Sequence, residues 1–110
     1  MSARLENFLK LIERYGYAVL RSRDADEVLK ILRECGAIHL VQVHRLPHGY
    51  TVIEIVSTSC HKECDVRCRD VVTGKRLIEC YNRCVEECIM DKIKNLTDKV
   101  RQKTSGVPMP

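Results

Sequence analysis

Six of the seven cysteines stand four residues apart on two ladders: Cys60, Cys64 and Cys68 in "CHKECDVRC", then Cys80, Cys84 and Cys88 in "CYNRCVEEC". A spacing of four keeps side chains near one face of an α-helix, about 6 Å apart along its axis. Gly74 lies midway between the ladders. Folding the chain back there as an antiparallel helical hairpin sets Cys60 opposite Cys88, Cys64 opposite Cys84 and Cys68 opposite Cys80. Three chemistries suit that arrangement: disulfide rungs, a soft-metal site, or a redox-active dithiol. A disulfide needs Cα atoms roughly 4.4–6.8 Å apart, which puts the helix axes about 9–11 Å apart, an ordinary packing distance. We therefore read the pairs as disulfides. Spacing of four overshoots the helical repeat by about 40° per step. The helices must then cross, and an end rung is the one to distort or open.

The elements carrying the ladders support that reading. Residues 59–72 read as one helix, with Ser59 as a cap and Gly74 as the break, and residues 75 to about 102 as a longer one. Apart from its cysteines the first offers only Val66, Val71 and Val72 for burial. That is too little apolar surface to hold it by packing. One disulfide closing a loop of about 15 residues contributes roughly 3 kcal/mol, and further rungs inside a closed loop add less. The logic resembles that of the mitochondrial twin CX3C proteins, which staple helical hairpins, although each helix here carries CX3CX3C. The alternative, six thiolates (Cys60, Cys64, Cys68, Cys80, Cys84, Cys88) holding Cu(I) or Zn, locally resembles the cytosolic copper-storage bundles with their CX3C ladders. Against it stand the neighbouring Lys62, Arg67, Arg69 and Arg83, and a spacing unlike the CX2C or CX4C pairs of zinc ribbons. Cys35 stands apart at a helix end and reads as a buried free thiol. No other cofactor is expected.

Upstream, Leu5, Phe8, Leu9 and Ile12 give residues 2–15 an amphipathic helical stripe, with Ser2 to cap it and Gly16 to end it. Residues 17–22 read as a strand. "DADEVLKILRECG" reads as a second helix, with Asp24 and Glu27 as a capping box and Gly36 as the stop. Residues 37–58 form a β-hairpin around Pro47-His48-Gly49. If Leu46 faces Tyr50, one face carries Val41, Val43, Ile53 and Ile55, a core face. The other carries Gln42, His44 and Glu54 among Leu40, Leu46, Tyr50, Val52 and Val56, and is expected to be covered by the hairpin helices or by a second subunit. A bulge in the turn would shift that register by one.

The expected fold is α+β within one domain spanning 1–110: an N-terminal helix and a small antiparallel sheet (1–58), a cysteine-stapled hairpin (59–103) and a tail (104–110). The β-α-β-β order resembles half of a ferredoxin-like layout, with the first strand antiparallel to the third. That layout hosts many functions.

Charge gives a further lead. The chain carries a net +4, and residues 59–110 hold eleven Lys and Arg against eight Asp and Glu. Lys92, Lys94, Lys99, Arg101 and Lys103 crowd the end of the last helix, where phosphate pairing and the helix macrodipole both favour cations. With five aromatic residues there is no stacking motif for RNA. Ile89, Ile93, Leu96 and Val100 extend that helix's apolar stripe past the ladder, to pack on the first helix, the sheet or another subunit. No serine elbow, glycine-rich phosphate loop or HExxH occurs, and Cys35 with His39 lacks a third partner. The expectation is a non-enzymatic binding or assembly protein, a homodimer or larger, with nucleic acid as the leading candidate ligand, met by the basic end of the last helix. A metal-binding protein and a purely structural module are the alternatives. No run of residues suits a membrane span, and the start is not a secretory signal. Disulfides without such a signal fit a thermophile's cytoplasm or a mature secreted chain, and scarce Asn and Gln lean towards the former.

Overall fold

The computed structural model describes residues 2–104, so the expected tail is covered only at Thr104 and otherwise lies outside the described residues. The chain is mixed α+β. Helix α1 spans Ala3–Tyr15, strand β1 Tyr17–Arg21, helix α2 Ser22–Glu34, strand β2 Val41–Leu46, strand β3 Tyr50–Ile55, helix α3 Thr58–Arg67 and helix α4 Ile78–Thr104. The sheet is antiparallel in the order β1-β3-β2.

Helix α1 forms as its stripe requires. Ser2 Oγ accepts from the Leu5 N–H at 3.2 Å, and Gly16 closes the helix in the left-handed region at φ 79°. Leu5, Phe8, Leu9 and Ile12 are all buried. They meet Val28, Leu29 and Leu32 of α2 and the inner faces of β1 and β3 in one core.

The second helix departs from expectation. It starts at Ser22, directly after the strand, with Arg21 at its cap position and no side-chain cap. The Asp24–Glu27 capping box therefore does not form. Arg4 draws both acids across to α1 instead, at 3.1 Å to Asp24 and 2.8 Å to Glu27. Ser22, a natural capping residue, lies 2.9 Å from Thr51 on β3 and ties the helix to the sheet.

Leu46 does face Tyr50, and the turn introduces no shift of register. His48 and Gly49 both take positive φ, 66° and 81°, so the turn uses two left-handed residues rather than glycine alone. Val41, Ile53 and Ile55 are buried as the core face requires, with Thr51 completing it on β3. Val43 shares that face but stays 36% exposed on β2, an edge strand of the sheet. Arg45 reaches inward from the same strand, donating to Thr51 at 2.9 Å and to Asp26 at 2.8 Å. An inward-pointing charge of this kind discourages another strand from adding to the edge.

Leu96 and Val100 of α4 are fully buried, and Ile89 and Ile93 pack partly against the same core. The C-terminal half of α4 is thus anchored on α1 and β3. Its N-terminal half extends away with α3, which packs mainly on α4. The Cα radius of gyration is 16.4 Å, against about 13 Å for a compact chain of this length. The molecule is a small domain carrying a helical arm.

Candidate functional site

The arm is built on sulfur. All three expected rungs are closed, Cys60–Cys88 and Cys64–Cys84 with Cα atoms 5.7 Å apart and Cys68–Cys80 at 5.5 Å. The buried side chains of α3 are Cys60 and Cys64, and Val66 is 78% exposed. No rung opens, because the chain absorbs the angular drift at Cys68. This residue leaves helical geometry (φ −105°, ψ 43°) and ends α3. The helix is therefore shorter than the expected 59–72. Ser59 lies inside it rather than capping it, and its Oγ accepts from Lys92 Nζ at 2.9 Å. A further tie crosses between the helices, a 2.7 Å hydrogen bond between His61 and Tyr81, and Arg76 from the turn before α4 sits over the Tyr81 ring at 4.4 Å. With the six sulfurs paired, none is left as a thiolate ligand. Among the described residues no group of three or more His, Cys, Asp or Glu is placed to hold a metal. Cys35 is the free thiol, half-buried rather than buried. Burial pushes its pKa up, while Lys103 pulls it back.

Beyond Cys68 the chain makes a tight, cross-braced tip. The Asp70 carboxylate accepts from the backbone N–H groups of Val72 (2.8 Å) and Thr73 (3.0 Å), an Asx-type turn that competes with helix. Gly74 turns back at φ 72°, and Leu77 N–H reaches the Cys68 carbonyl at 2.7 Å. Asp65 clamps both strands of the tip, accepting from Arg69 through both oxygens and from Arg76 at 2.9 Å. This scaffold presents Val71 and Val72, 100% and 92% exposed, with Leu77 and Ile78 also exposed behind them. Sequence reasoning missed the tip because "RDVV" was absorbed into the first ladder helix. The signal available was Asp70 four residues before Gly74.

The tip's two acids titrate below the ordinary carboxylate range. Arg69 and Arg76 hold Asp65 down, and the Thr73 and Val72 N–H groups hold Asp70 down. A depressed native pKa stabilises at pH above the unfolded value and loses that stabilisation as pH falls through the native one. We expect amide protection at Val72 and Thr73 to persist down to about pH 4 and to fade below it. Hydrogen exchange against pH checks this, and fading already at neutral pH would contradict it.

The other expected sites are dispersed. Gln42, His44 and Glu54 do share the outer sheet face, with His44 Nε2 2.7 Å from Glu54. Their neighbours in register are Val52, Tyr17 and Val19, and no nucleophile stands among them. The hairpin helices do not cover this face: Tyr17, Val19, Leu46 and Tyr50 are all more than two-fifths exposed. The five cations towards the end of the last helix divide between two sides. At 3.6 residues per turn, Lys92, Lys99 and Lys103 fall within about 40° of one another, and Lys94 and Arg101 lie opposite. Lys99 and Lys103 border a shallow groove with Glu34 and Cys35. Lys94 borders another with Glu13 and Asp98, and Arg101 pairs with Glu6 at 3.3 Å.

Comparison with known proteins adds no assignment. No protein-family model matches the chain, and no curated protein or solved structure is significantly similar to it.

Proposed function

We propose that the chain is a non-enzymatic binding and assembly module, a small α+β domain that presents a rigid arm tip to another macromolecule. One observation carries this reading: Val71 and Val72 are almost wholly exposed on a turn braced by a disulfide, an Asx turn and the Asp65 clamp. Burying such apolar side chains against a partner lowers the free energy, and a rigid presentation reduces the entropic cost of binding. The bare outer sheet face, with Tyr17, Val19, Leu46 and Tyr50, is a second apolar surface of the same chain. A homodimer or larger assembly is the partner we favour. A thermophile's cytoplasm and an extracellular setting both reconcile such an assembly with three disulfides. No helix among the described residues is long and apolar enough to cross a membrane.

Sedimentation equilibrium of the oxidised chain tests the reading. Wild-type association weakened at least tenfold by Val71→Asp with Val72→Asp supports it. A chain that stays monomeric at every concentration sinks the self-assembly form of the idea. The aligned Lys92, Lys99 and Lys103 favour a second reading, nucleic-acid binding. Adding a duplex oligonucleotide to the same experiment separates the two. Binding that falls steeply with salt and is lost in Lys99→Gln with Lys103→Gln moves the functional surface from the arm to the last helix.

A further inference from the structure

We propose that the cysteine ladder is a thiol-exchange site: an external dithiol reaches the rungs from the α4 side, opens them and releases α3 from an otherwise intact fold. This inference is independent of which partner the tip meets. It rests on three observations. First, the rungs are one-sided. Cys60, Cys64 and Cys68 are fully buried, whereas Cys84 and Cys88 are half-buried and Cys80 is exposed. Second, a groove of about 390 Å³ runs along the ladder, with Cys84 and Cys88 in its wall. Arg67 reaches into it, its Nη1 3.8 Å from Cys84 Sγ. Third, the buried side chains of α3 are cysteines, so the element has little but sulfur to keep it docked.

Thiol–disulfide exchange is an in-line displacement by a thiolate, and its negative charge spreads over the three sulfurs of the transition state. At a rung attacked through its α4 sulfur, the thiolate arrives from the accessible side and the buried α3 sulfur leaves. At Cys64–Cys84 the Arg67 guanidinium, held through Nη2 by Glu63, points Nη1 at the attacked sulfur and offers it a hydrogen-bond donor as charge builds there. The external thiolate forms a mixed disulfide with the α4 cysteine. The α3 cysteine departs as a thiolate and takes up a proton. The second external thiol then displaces the α4 cysteine, which is protonated in turn, and the reagent leaves as a cyclic disulfide. Each rung consumes two electrons and two protons from one dithiol. Any rung still closed keeps α3 paired with α4, so release awaits the last.

The test uses the full oxidised chain in native buffer. Brief exposure to cysteamine, a cationic monothiol suited to a groove with three carboxylates and two cations, is followed by acid quenching and peptide mapping. Mixed disulfides are expected on Cys80, Cys84 or Cys88, and adducts chiefly on Cys60, Cys64 or Cys68 would overturn the assigned side. Dithiothreitol is then added until alkylation counts six new thiols, and hydrogen exchange is recorded. We expect protection to be lost across 58–68 and kept in α1, α2 and the sheet, and reoxidation to restore the same pairs. A ladder that resists reduction until denaturant is added, an α3 that stays protected when reduced, or a collapse of the whole fold would each overturn the proposal.

Discussion

Phe8→Ala will cost the fold about 3–5 kcal/mol, the range for removing a large aromatic side chain from a packed core. Phe8 is fully buried at the centre of the α1 stripe, and it is the largest of the side chains withdrawn from solvent. The core around it joins every element except α3: Leu29 and Leu32 of α2, Ile53 of β3 and Leu96 of α4 belong to the same cluster. A loss of this size is a large share of the roughly 5–15 kcal/mol that holds a domain together. The measurement is a denaturant titration with the disulfides intact, and a shift worth less than about 1 kcal/mol would mean that the cavity closes over or the core is looser than described. The damage should be regional. The rungs do not depend on Phe8, so α3 should remain paired with the first half of α4 at denaturant concentrations where the sheet has already lost protection.

That separation explains which parts of the fold could be read from the sequence. Wherever burial sets the structure, periodicity reports it. Leu5, Phe8, Leu9 and Ile12 mark α1, and the alternation through Val41, Ile53 and Ile55 marks the core face of the sheet with its register. The cysteine pairing was legible for a different reason: a fixed spacing on two helices with Gly74 at the midpoint admits one antiparallel alignment. Local competition between polar side chains and backbone was harder to read. Asp24 resembles a cap in sequence, yet Arg4, twenty residues away, takes it. Asp70 sits in a helical pattern, yet two backbone N–H groups satisfy its carboxylate better in a turn. The candidate site fared least well because exposure is a property of layers. Alternation showed which residues share the face of His44 and Glu54, but not that the hairpin helices would leave that face bare. A run of five cations likewise reads as one patch until the helix turns two of them to the far side.

Removing all three rungs should release the arm's first helix while leaving the domain folded, and the dependence on rung number should be strongly non-additive. Chain separations of 28, 20 and 12 residues each give about 3–4 kcal/mol for a first loop closure, because the cost grows only with the logarithm of loop length. The three are nested, so once any one is closed the others constrain only short connecting segments. Paired Cys→Ala substitution of a single rung should therefore cost well under the roughly 3 kcal/mol of a first closure. The penalty should appear when the last pair goes. Amide exchange across 58–68 is the decisive readout: protected in each single-pair and double-pair variant, unprotected in the variant lacking all three. Equal steps for each pair would contradict the nested account, and protection surviving all six substitutions would show that packing holds α3. The physical consequence concerns the tip. An element held by packing must turn its apolar side chains inward, whereas one held by sulfur can leave them outside. Val66, Val71, Val72 and Leu77 are the large apolar side chains that α3 and its turn contribute besides cysteine, and all are exposed. The ladder is what allows this chain to keep an apolar tip rigid, ordered and facing solvent.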